Sequence, residues 1–435
     1  MKYIKKVLPN GMTVILAPMK STDGIVSVGF FVRAGAANDT ADTSGMAHFL
    51  EHMTFMGTKN RPSDQVVRQL DMLGVEYNAA TSMETTHYYM HGNSADVKKI
   101  LDIALDLYIN PVFDPKAINK EKKVIIEEMR MRSDAPYMQL YSALLSKMFK
   151  STPFSRNIVG TEDSVMSFTR KDFVEFRNVM YRPDSTVFVV TGNFIPEMVY
   201  KSIAKPLGQL ENPILNLEEV DTDSKSMRQI IYSNMETQSN PFIHLKKTAD
   251  TKQVYLLMGF PMFNLYETYG KEIDLMAHTL TSGLSSRLFN ALRVKKGITY
   301  SSIAYPYVYS EGGIFVIKST LHPDGLVPGL KIILRELRKL KTNPIESEEL
   351  HKVKKIAVNN TLFSLTRPTD YLMYYGMSFL DNPNAKPNVK ADVESIKHVR
   401  AASIQKVAEK IFLKSKINLY LYGNVDRTDF TFMKL

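Results

Sequence analysis

The sequence predicts an α+β protein made of two homologous domains, each a mainly antiparallel β-sheet packed with helices. The chain has 435 residues, more than a single hydrophobic core usually organises. Each half mixes segments of alternating apolar residues, typical of strands, with long segments of helical periodicity. The two halves also repeat the same features in the same order, which is the mark of a duplicated template.

The repeat is weak in sequence but constant in spacing. In each half an Asn-Pro pair precedes a helical segment, which ends at Glu128 in the first half and at Asn360 in the second. Each half then finishes with a β-rich stretch closed by Gly-Asn, at Asn193 in the first half and at Asn424 in the second. Because the two pairs of features are separated by nearly the same length of chain, we interpret the halves as copies of one plan.

This spacing divides the chain into a first domain, a polar linker rich in Asn, Asp, Glu and Ser, and a second domain. The predicted boundaries are 1–207, 208–227 and 228–435. The clearest strands are predicted over 24–35 and 82–90, and the clearest helices over 115–131 and 344–362.

Composition places the chain in the globular class, with 44% hydrophobic and 23% charged residues. The apolar runs are far shorter than the roughly 20 residues that span a bilayer, so we expect no membrane contact. The first residues resemble neither a signal nor a transit peptide, and a cytoplasmic location is the default expectation. The net charge of +10 comes from scattered basic residues, which argues against a nucleic-acid partner.

Residues 43–57 predict a helix that carries a metal site. Thr43 and Ser44 are residue types that cap helix N-termini. Apolar residues at helical spacing form the side expected to face the core: Met46, Phe49, Leu50, Met53 and Met56. His48 and His52 are four residues apart and project from successive turns toward one cation. The alternative is a pair of structural core histidines.

A second predicted helix supplies carboxylates. Asp114-Pro115 has the residue types of a helix start, and Glu121 and Glu128 lie seven residues apart, close to two helical turns. They are expected to share a face with Val124 and Ile125. The chain has no cysteine, so a metal must be held by histidine and carboxylate, and catalytic zinc commonly takes three protein ligands. Alternatively, these glutamates form only the solvated side of a helix.

The segment His48-Phe49-Leu50-Glu51-His52, followed by Glu121 and Glu128, resembles the pitrilysin or insulinase-type family of zinc metallopeptidases, which includes the mitochondrial processing peptidases. The resemblance covers nearly the whole chain. It implies one Zn²⁺ per chain, bound by His48, His52 and Glu128. It also implies that Glu51 is the general base and that Glu121 supports the ligands from behind. The activity implied is hydrolysis of peptide bonds in peptides or unfolded polypeptides inside a chamber.

Two further stretches carry the resemblance. Residues 74–81 resemble the family's Asn-Ala stretch, whose strand edge pairs with an extended substrate, so Asn78 and Ala79 are expected to bind the peptide. In the second half, Arg293 and Tyr300 match the family's Arg/Tyr signature and are expected to stabilise the oxyanion of the transition state. The alternatives are a turn at Asn78, a surface cation at Arg293 and a packed strand aromatic at Tyr300.

The resemblance also implies a partner. Family members enclose the site in four such domains, and this chain supplies two, so we expect a homodimer, or a heterodimer with a related subunit. Arg293 and Tyr300 of one subunit would then face the zinc of the other.

The second half keeps one histidine of the motif, His278, which is expected to be structural and not to bind zinc. A non-catalytic scaffold and a peptide-binding module of the same fold remain as alternative functions.

Overall fold

A computed structural model describes residues 2–20, 24–212, 233, 237–248, 251–310, 312–425, 430 and 432–433. The chain divides into two compact units. Unit 1 contains Met1–Arg130, Arg156–Asn216 and Phe363–Val389, and unit 2 contains Met131–Ser155, Leu217–Leu362 and Lys390–Leu435. Each unit thus includes one segment from the opposite half of the chain. The domain boundaries drawn along the sequence stay a prediction, and residues 213–227 of the predicted linker lie outside the described residues.

The strands are β1 (Ile4–Val7), β2 (Thr13–Pro18), β3 (Ile25–Val32), β4 (Glu76–Thr81), β5 (Thr86–Asn93), β6 (Thr186–Gly192), β7 (Phe242–Lys247), β8 (Val254–Pro261), β9 (Thr299–Tyr309), β10 (Gly312–Leu321) and β11 (Asn418–Gly423). The helices are α1 (Met46–Thr54), α2 (Ser63–Met72), α3 (Val97–Ile109), α4 (Pro115–Asp134), α5 (Pro136–Met148), α6 (Glu162–Ser167), α7 (Arg170–Met180), α8 (Pro196–Gly208), α9 (Leu265–Thr281), α10 (Leu326–Thr342), α11 (Ser347–Phe363), α12 (Pro368–Asp381), α13 (Val389–His398) and α14 (Ala401–Ile411). A π-helix spans Phe289–Val294.

Unit 1 is built on a six-stranded sheet in the order β1-β2-β6-β3-β5-β4. Strands β2 and β6 are parallel, and the other neighbours are antiparallel. Because side chains alternate along a strand, the sheet buries apolar residues on both faces. One face packs with α3 and α8 through residues such as Phe30, and the other packs with α12, where Phe31 lies in a cluster with Leu372 and Phe379.

Unit 2 contains a five-stranded sheet in the order β7-β11-β8-β10-β9. Its parallel pair is β7 and β11, and the remaining pairs are antiparallel. This order matches β2-β6-β3-β5-β4 of unit 1 strand for strand, with the parallel pair in the same place. One face packs with α9, α10 and α14, and α5 packs against β8 and β11. The predicted fold class and its duplication are confirmed.

The clearest sequence patterns fall on the expected elements. The strands predicted over 24–35 and 82–90 overlap β3 and β5, and the helices predicted over 115–131 and 344–362 overlap α4 and α11. Within the parts of the chain that the structure describes, no helix is both long enough and apolar enough to cross a bilayer.

Helix α1 begins differently from the prediction. Its N-cap is Gly45, which has a left-handed backbone with φ of 91° and offers no side-chain cap, so the expected caps Thr43 and Ser44 are wrong. The acceptors come instead from Asp39, whose Oδ2 accepts from the Gly45 N–H at 2.8 Å and whose Oδ1 accepts from the Ala47 N–H at 3.1 Å. The sharp turn at Gly45 lets a carboxylate from outside the helix reach these N–H groups.

Asp39 is buried, with 3% of its surface exposed. Burial raises the pKa of its carboxyl to about 7, although the two backbone N–H groups and the charge of Arg156 favour the ionised form. The start of α1 is also fixed by close backbone packing, since a Cβ on Gly45 would lie 2.7 Å from the Val159 carbonyl oxygen. The position of α1 therefore depends on Asp39, which precedes it, and on backbone packing against Val159, which follows it.

We predict that Asp39→Ala lowers the free energy of unfolding by about 1–3 kcal/mol, because two buried N–H groups lose their acceptor. Asp42→Ala is the matched control in the same loop, because Asp42 is exposed, and it should change stability by less than about 0.5 kcal/mol. Urea unfolding followed by circular dichroism measures both. Equal stability of the two variants would contradict the anchoring role of Asp39.

Candidate active site

Helix α1 is held in place by its apolar side. This side packs with residues of α4, α6 and α7 in one buried cluster: Met46, Phe49, Leu50, Met53, Ile118, Ile125, Val165 and Phe173. The polar side chains of α1 consequently project from the opposite side of the helix. The packing brings α1 and α4, which are distant in sequence, side by side.

His48 and His52 of α1 meet Glu128 of α4. The Nε2 atoms of both histidines lie 3.6 Å from Glu128 Oε2, and the two imidazole centroids are 4.6 Å apart. One ligand atom from each residue falls within 4.8 Å of the other two. His48 is buried, and His52 and Glu128 are partly buried. Three residues predicted from sequence are thus brought together.

This donor set fits zinc. Two imidazole nitrogens and one carboxylate oxygen are ligands that catalytic zinc uses, with the fourth position left open. Bond lengths near 2.0–2.2 Å place tetrahedral ligand atoms about 3.3 Å apart, close to the 3.6 Å separations between each histidine Nε2 and Glu128. His48, His52 and Glu128 could therefore hold a metal ion with little movement.

Glu121 lies behind one ligand. Its Oε1 accepts a hydrogen bond of 2.8 Å from Nδ1 of His52, which leaves Nε2 of that ring directed to Glu128. Burial lowers the pKa of His52, but the hydrogen bond with Glu121 and the charges of nearby carboxylates outweigh burial, and the pKa is raised. Glu121 thus lies behind His52, and its supporting role stays a prediction.

The apolar neighbours of the two carboxylates on α4 differ in burial. Val124, which was expected to share a face with Glu121 and Glu128, has 46% of its surface exposed. The apolar residues that pack beside the carboxylates are Ile118 and Ile125. Spacings of three and four residues place Val124 on the face of Glu121 and Glu128, at its exposed edge, whereas Ile118 and Ile125 lie at its buried edge.

Glu51 projects from α1 toward β4. Its Oε2 accepts a hydrogen bond of 2.6 Å from the Thr81 hydroxyl. Burial raises the pKa of Glu51, and the Thr81 hydrogen bond and the His52 charge oppose this rise. Thr81 was not assigned a role from sequence, because a hydroxyl that bonds to a residue of a distant element leaves no local pattern.

The predicted peptide-binding residues lie on an edge strand. Among the described strands, β4 pairs only with β5 and forms one margin of the unit 1 sheet. Asn78 lies within this strand and not in a turn, and its Oδ1 accepts from the Ala79 N–H at 2.9 Å. Because α1 contacts β4, this edge runs beside the residues that could bind metal.

Arg293 and Tyr300 form a pair in unit 2. Arg293 lies in the π-helix and Tyr300 in β9. The guanidinium donates to the Tyr300 carbonyl oxygen at 3.1 Å and lies 4.9 Å from the centroid of the Tyr300 ring. Tyr300 is 75% exposed, so the alternative of a packed aromatic is wrong. The residues around the possible metal site belong to unit 1.

Unit 2 carries a histidine at the position that corresponds to the metal helix. His278 Nδ1 is 2.6 Å from the hydroxyl of Ser282, and burial lowers the pKa of His278. Ser282 follows His278 at the same spacing at which His52 follows His48, so Ser282 is the counterpart of His52. In the described part of the chain, the single group of three possible metal ligands is His48, His52 and Glu128.

Comparisons with known proteins identify a peptidase family. Residues 14–162 match the family model described as insulinase (peptidase family M16), and residues 167–357 match the model described as peptidase M16 inactive domain. A Rickettsia felis protein described as an uncharacterized zinc protease is 28% identical over 408 residues, which is 93% of this chain and 94% of that protein. A Bacillus subtilis protein with a similar description is 27% identical over 82% of this chain and 83% of its own length.

Solved structures share the fold. A protease from Helicobacter pylori superimposes with a TM-score of 0.84 at 20% identity, covering 97% of this chain and 99% of that one. A structure described as a peptidase M16 inactive domain from Pseudomonas fluorescens superimposes with a TM-score of 0.83 at 13% identity, covering 99% and 100%. The two family models together account for most of the sequence, and the chain belongs to the insulinase family of peptidases, M16.

Proposed function

We propose that the chain is a zinc-dependent endopeptidase that cleaves peptides or unfolded polypeptides. The observation that carries the proposal is the convergence of His48, His52 and Glu128 beside Glu51. Relatives described as zinc proteases align with more than nine-tenths of the chain, which supports the same chemistry. One zinc per chain is the stoichiometry favoured by the single group of three possible ligands among the described residues.

In this proposal the metal and the protein have separate tasks. Zinc, when bound, supplies a Lewis acid that polarises a peptide carbonyl and makes a water molecule more acidic. Glu51 accepts a proton from the attacking water and passes it to the departing amine nitrogen. Glu121 keeps the His52 ring oriented so that Nε2 remains available as a ligand.

The edge of β4 is the proposed peptide-binding surface. An extended peptide that joins a sheet edge is held mainly by backbone hydrogen bonds, so it can vary in sequence. The Ala79 N–H now donates to Asn78 Oδ1, and that amide must rotate away when a peptide carbonyl takes its place. Asn78 would thus cover the edge between substrates, which limits unwanted strand pairing.

Arg293 and Tyr300 are proposed to stabilise the oxyanion, at about 3 kcal/mol for each donor. Their mutual contact and the exposure of Tyr300 suit residues that meet a substrate. We propose that they act on the site of a second copy of the chain, in a homodimer that encloses the peptide. Each dimer would then hold two composite sites.

We predict that the purified protein loaded with zinc cleaves peptides in a mixed library, measured by mass spectrometry. Glu51→Gln should lower kcat by at least about 10³-fold while it retains zinc, because the proton acceptor is lost but the three ligands remain. Removal of the metal with a chelator should abolish cleavage, and added zinc should restore it. Cleavage by Glu51→Gln at the wild-type rate would contradict the proposal.

The neighbouring residues Glu127 and Glu128 provide a matched pair of controls for that experiment. Glu128→Gln should lose most of its zinc, because a neutral amide is a poor ligand for this metal. Glu127 is exposed and pairs with Arg130, so Glu127→Gln should keep both zinc and activity. Zinc content is measured by atomic emission on the same samples. Full zinc content in Glu128→Gln would remove Glu128 from the ligand set.

The shared-site proposal is tested by complementation. Glu51→Gln and Arg293→Ala chains carrying different affinity tags are co-expressed, and the heterodimer is purified through both tags. Each homodimer should be nearly inactive, whereas the heterodimer should recover roughly half of the wild-type kcat, because one of its two composite sites is intact. A heterodimer as inactive as its parents would show that the Arg/Tyr pair does not act across subunits.

A further inference from the structure

We infer that Thr81 is a positioning residue that fixes Glu51 at the end of the β4 edge. Where the peptide pairs along β4 then determines which of its peptide bonds meets the Glu51 carboxylate. The inference rests on the proposed function. It assigns a role to a residue that lies outside the metal ligands and outside the Asn-Ala pair.

Thr81 holds Glu51 mainly through its hydroxyl, which donates to Glu51 Oε2 at 2.6 Å. The backbone N–H of Thr81 also favours the ionised form of that carboxylate and lowers its pKa. A glutamate side chain has several rotatable bonds, and a short hydrogen bond to a residue fixed in a sheet restricts its motion. Glu51 is therefore presented in a fixed direction from α1.

The backbone groups of β4 alternately face toward and away from β5, which explains why the Thr81 N–H is available to Glu51. Ser82 N–H donates to the Thr85 carbonyl at 2.8 Å, so Ser82 belongs to the residues whose backbone faces β5. In an antiparallel pair this orientation alternates, so the backbone groups of Thr81 and Ala79 point away from β5. The Ala79 N–H, which donates to Asn78 Oδ1, follows the same alternation.

The Glu51 carboxylate therefore lies at Thr81, the last residue of β4 whose backbone faces away from β5. The outward N–H groups of Ala79 and Thr81 are two residues apart, about 6.8 Å along the strand. A peptide that pairs with Ala79 cannot continue its pairing at Thr81, where the Glu51 carboxylate already lies. The next peptide bond of the substrate therefore lies beside the Glu51 carboxylate and the metal ligands of α1. Thr81 thus sets where along the bound peptide the cleavage occurs.

The test compares Thr81→Val, Thr81→Ser and wild type with one defined peptide. Valine keeps the shape and strand preference of threonine but lacks the hydroxyl. We expect Thr81→Val to lower kcat about 10- to 100-fold, with KM within about threefold of wild type and zinc content unchanged. Thr81→Ser keeps the hydroxyl and should restore most of kcat.

Thr191→Val is the matched control. The Thr191 hydroxyl donates at 2.6 Å to the Pro368 carbonyl, so the same substitution removes a buried hydrogen bond of equal length on β6. It should lower the thermal midpoint but leave kcat within about twofold, because loss of a structural bond alone does not disturb Glu51. A loss of kcat of the same size in both variants would overturn the positioning role.

A second readout requires no catalysis. In chelated protein, the thermal midpoints of Thr81→Val, Glu51→Ala and the double variant form a double-mutant cycle, because alanine leaves no acceptor for the Thr81 hydroxyl. Shifts that fail to add support the contact, and additive shifts overturn it.

If the wild type cleaves no peptide, the proposed function is wrong. If the wild type cleaves and Thr81→Val keeps its kcat, the proposed function stands and the role of Thr81 is wrong.

Discussion

The approach of Glu128 to His48 and His52 is the contact on which the account of the site depends. A metal ion tolerates errors of only a few tenths of an ångström in its ligand distances, yet these residues come from two helices that are distant in sequence. The apolar cluster shared by α1, α4, α6 and α7 supplies the required rigidity. Asp39 fixes the start of α1, and Glu121 fixes one imidazole. Core packing and helix capping therefore position the residues that could bind the metal.

Comparison of the two units distinguishes the features that come from the shared fold from those that come from particular residues. Both units contain the same strand order with one parallel pair in the same place. Only unit 1 places two histidines and a glutamate together among the described residues, whereas the counterpart of His52 in unit 2 is Ser282, which bonds to His278. The scaffold alone thus creates no metal site. Unit 2 instead presents the Arg293 and Tyr300 pair from a π-helix and an edge strand.

Much of this arrangement could be predicted from local pattern and from resemblance. The four-residue spacing of His48 and His52 predicted two imidazoles on one helix face, and the resemblance selected Glu128 as the third ligand. Asp39 and Thr81 could not be predicted, because Asp39 reaches the N–H groups of α1 only through the turn at Gly45 and Thr81 meets Glu51 only through the packing of α1 beside β4. The spacing placed Val124 and Ile125 on one face with the glutamates but could not tell that Ile125 is buried and Val124 exposed, because only packing against other elements distinguishes them.

The most direct measurement is a crystal structure of the zinc-loaded protein with anomalous scattering recorded at the zinc edge. The account predicts one anomalous peak per chain, about 2.0–2.2 Å from Nε2 of His48, Nε2 of His52 and a carboxylate oxygen of Glu128. A peak bound by other residues, or zinc-loaded crystals with no peak between α1 and α4, would contradict it.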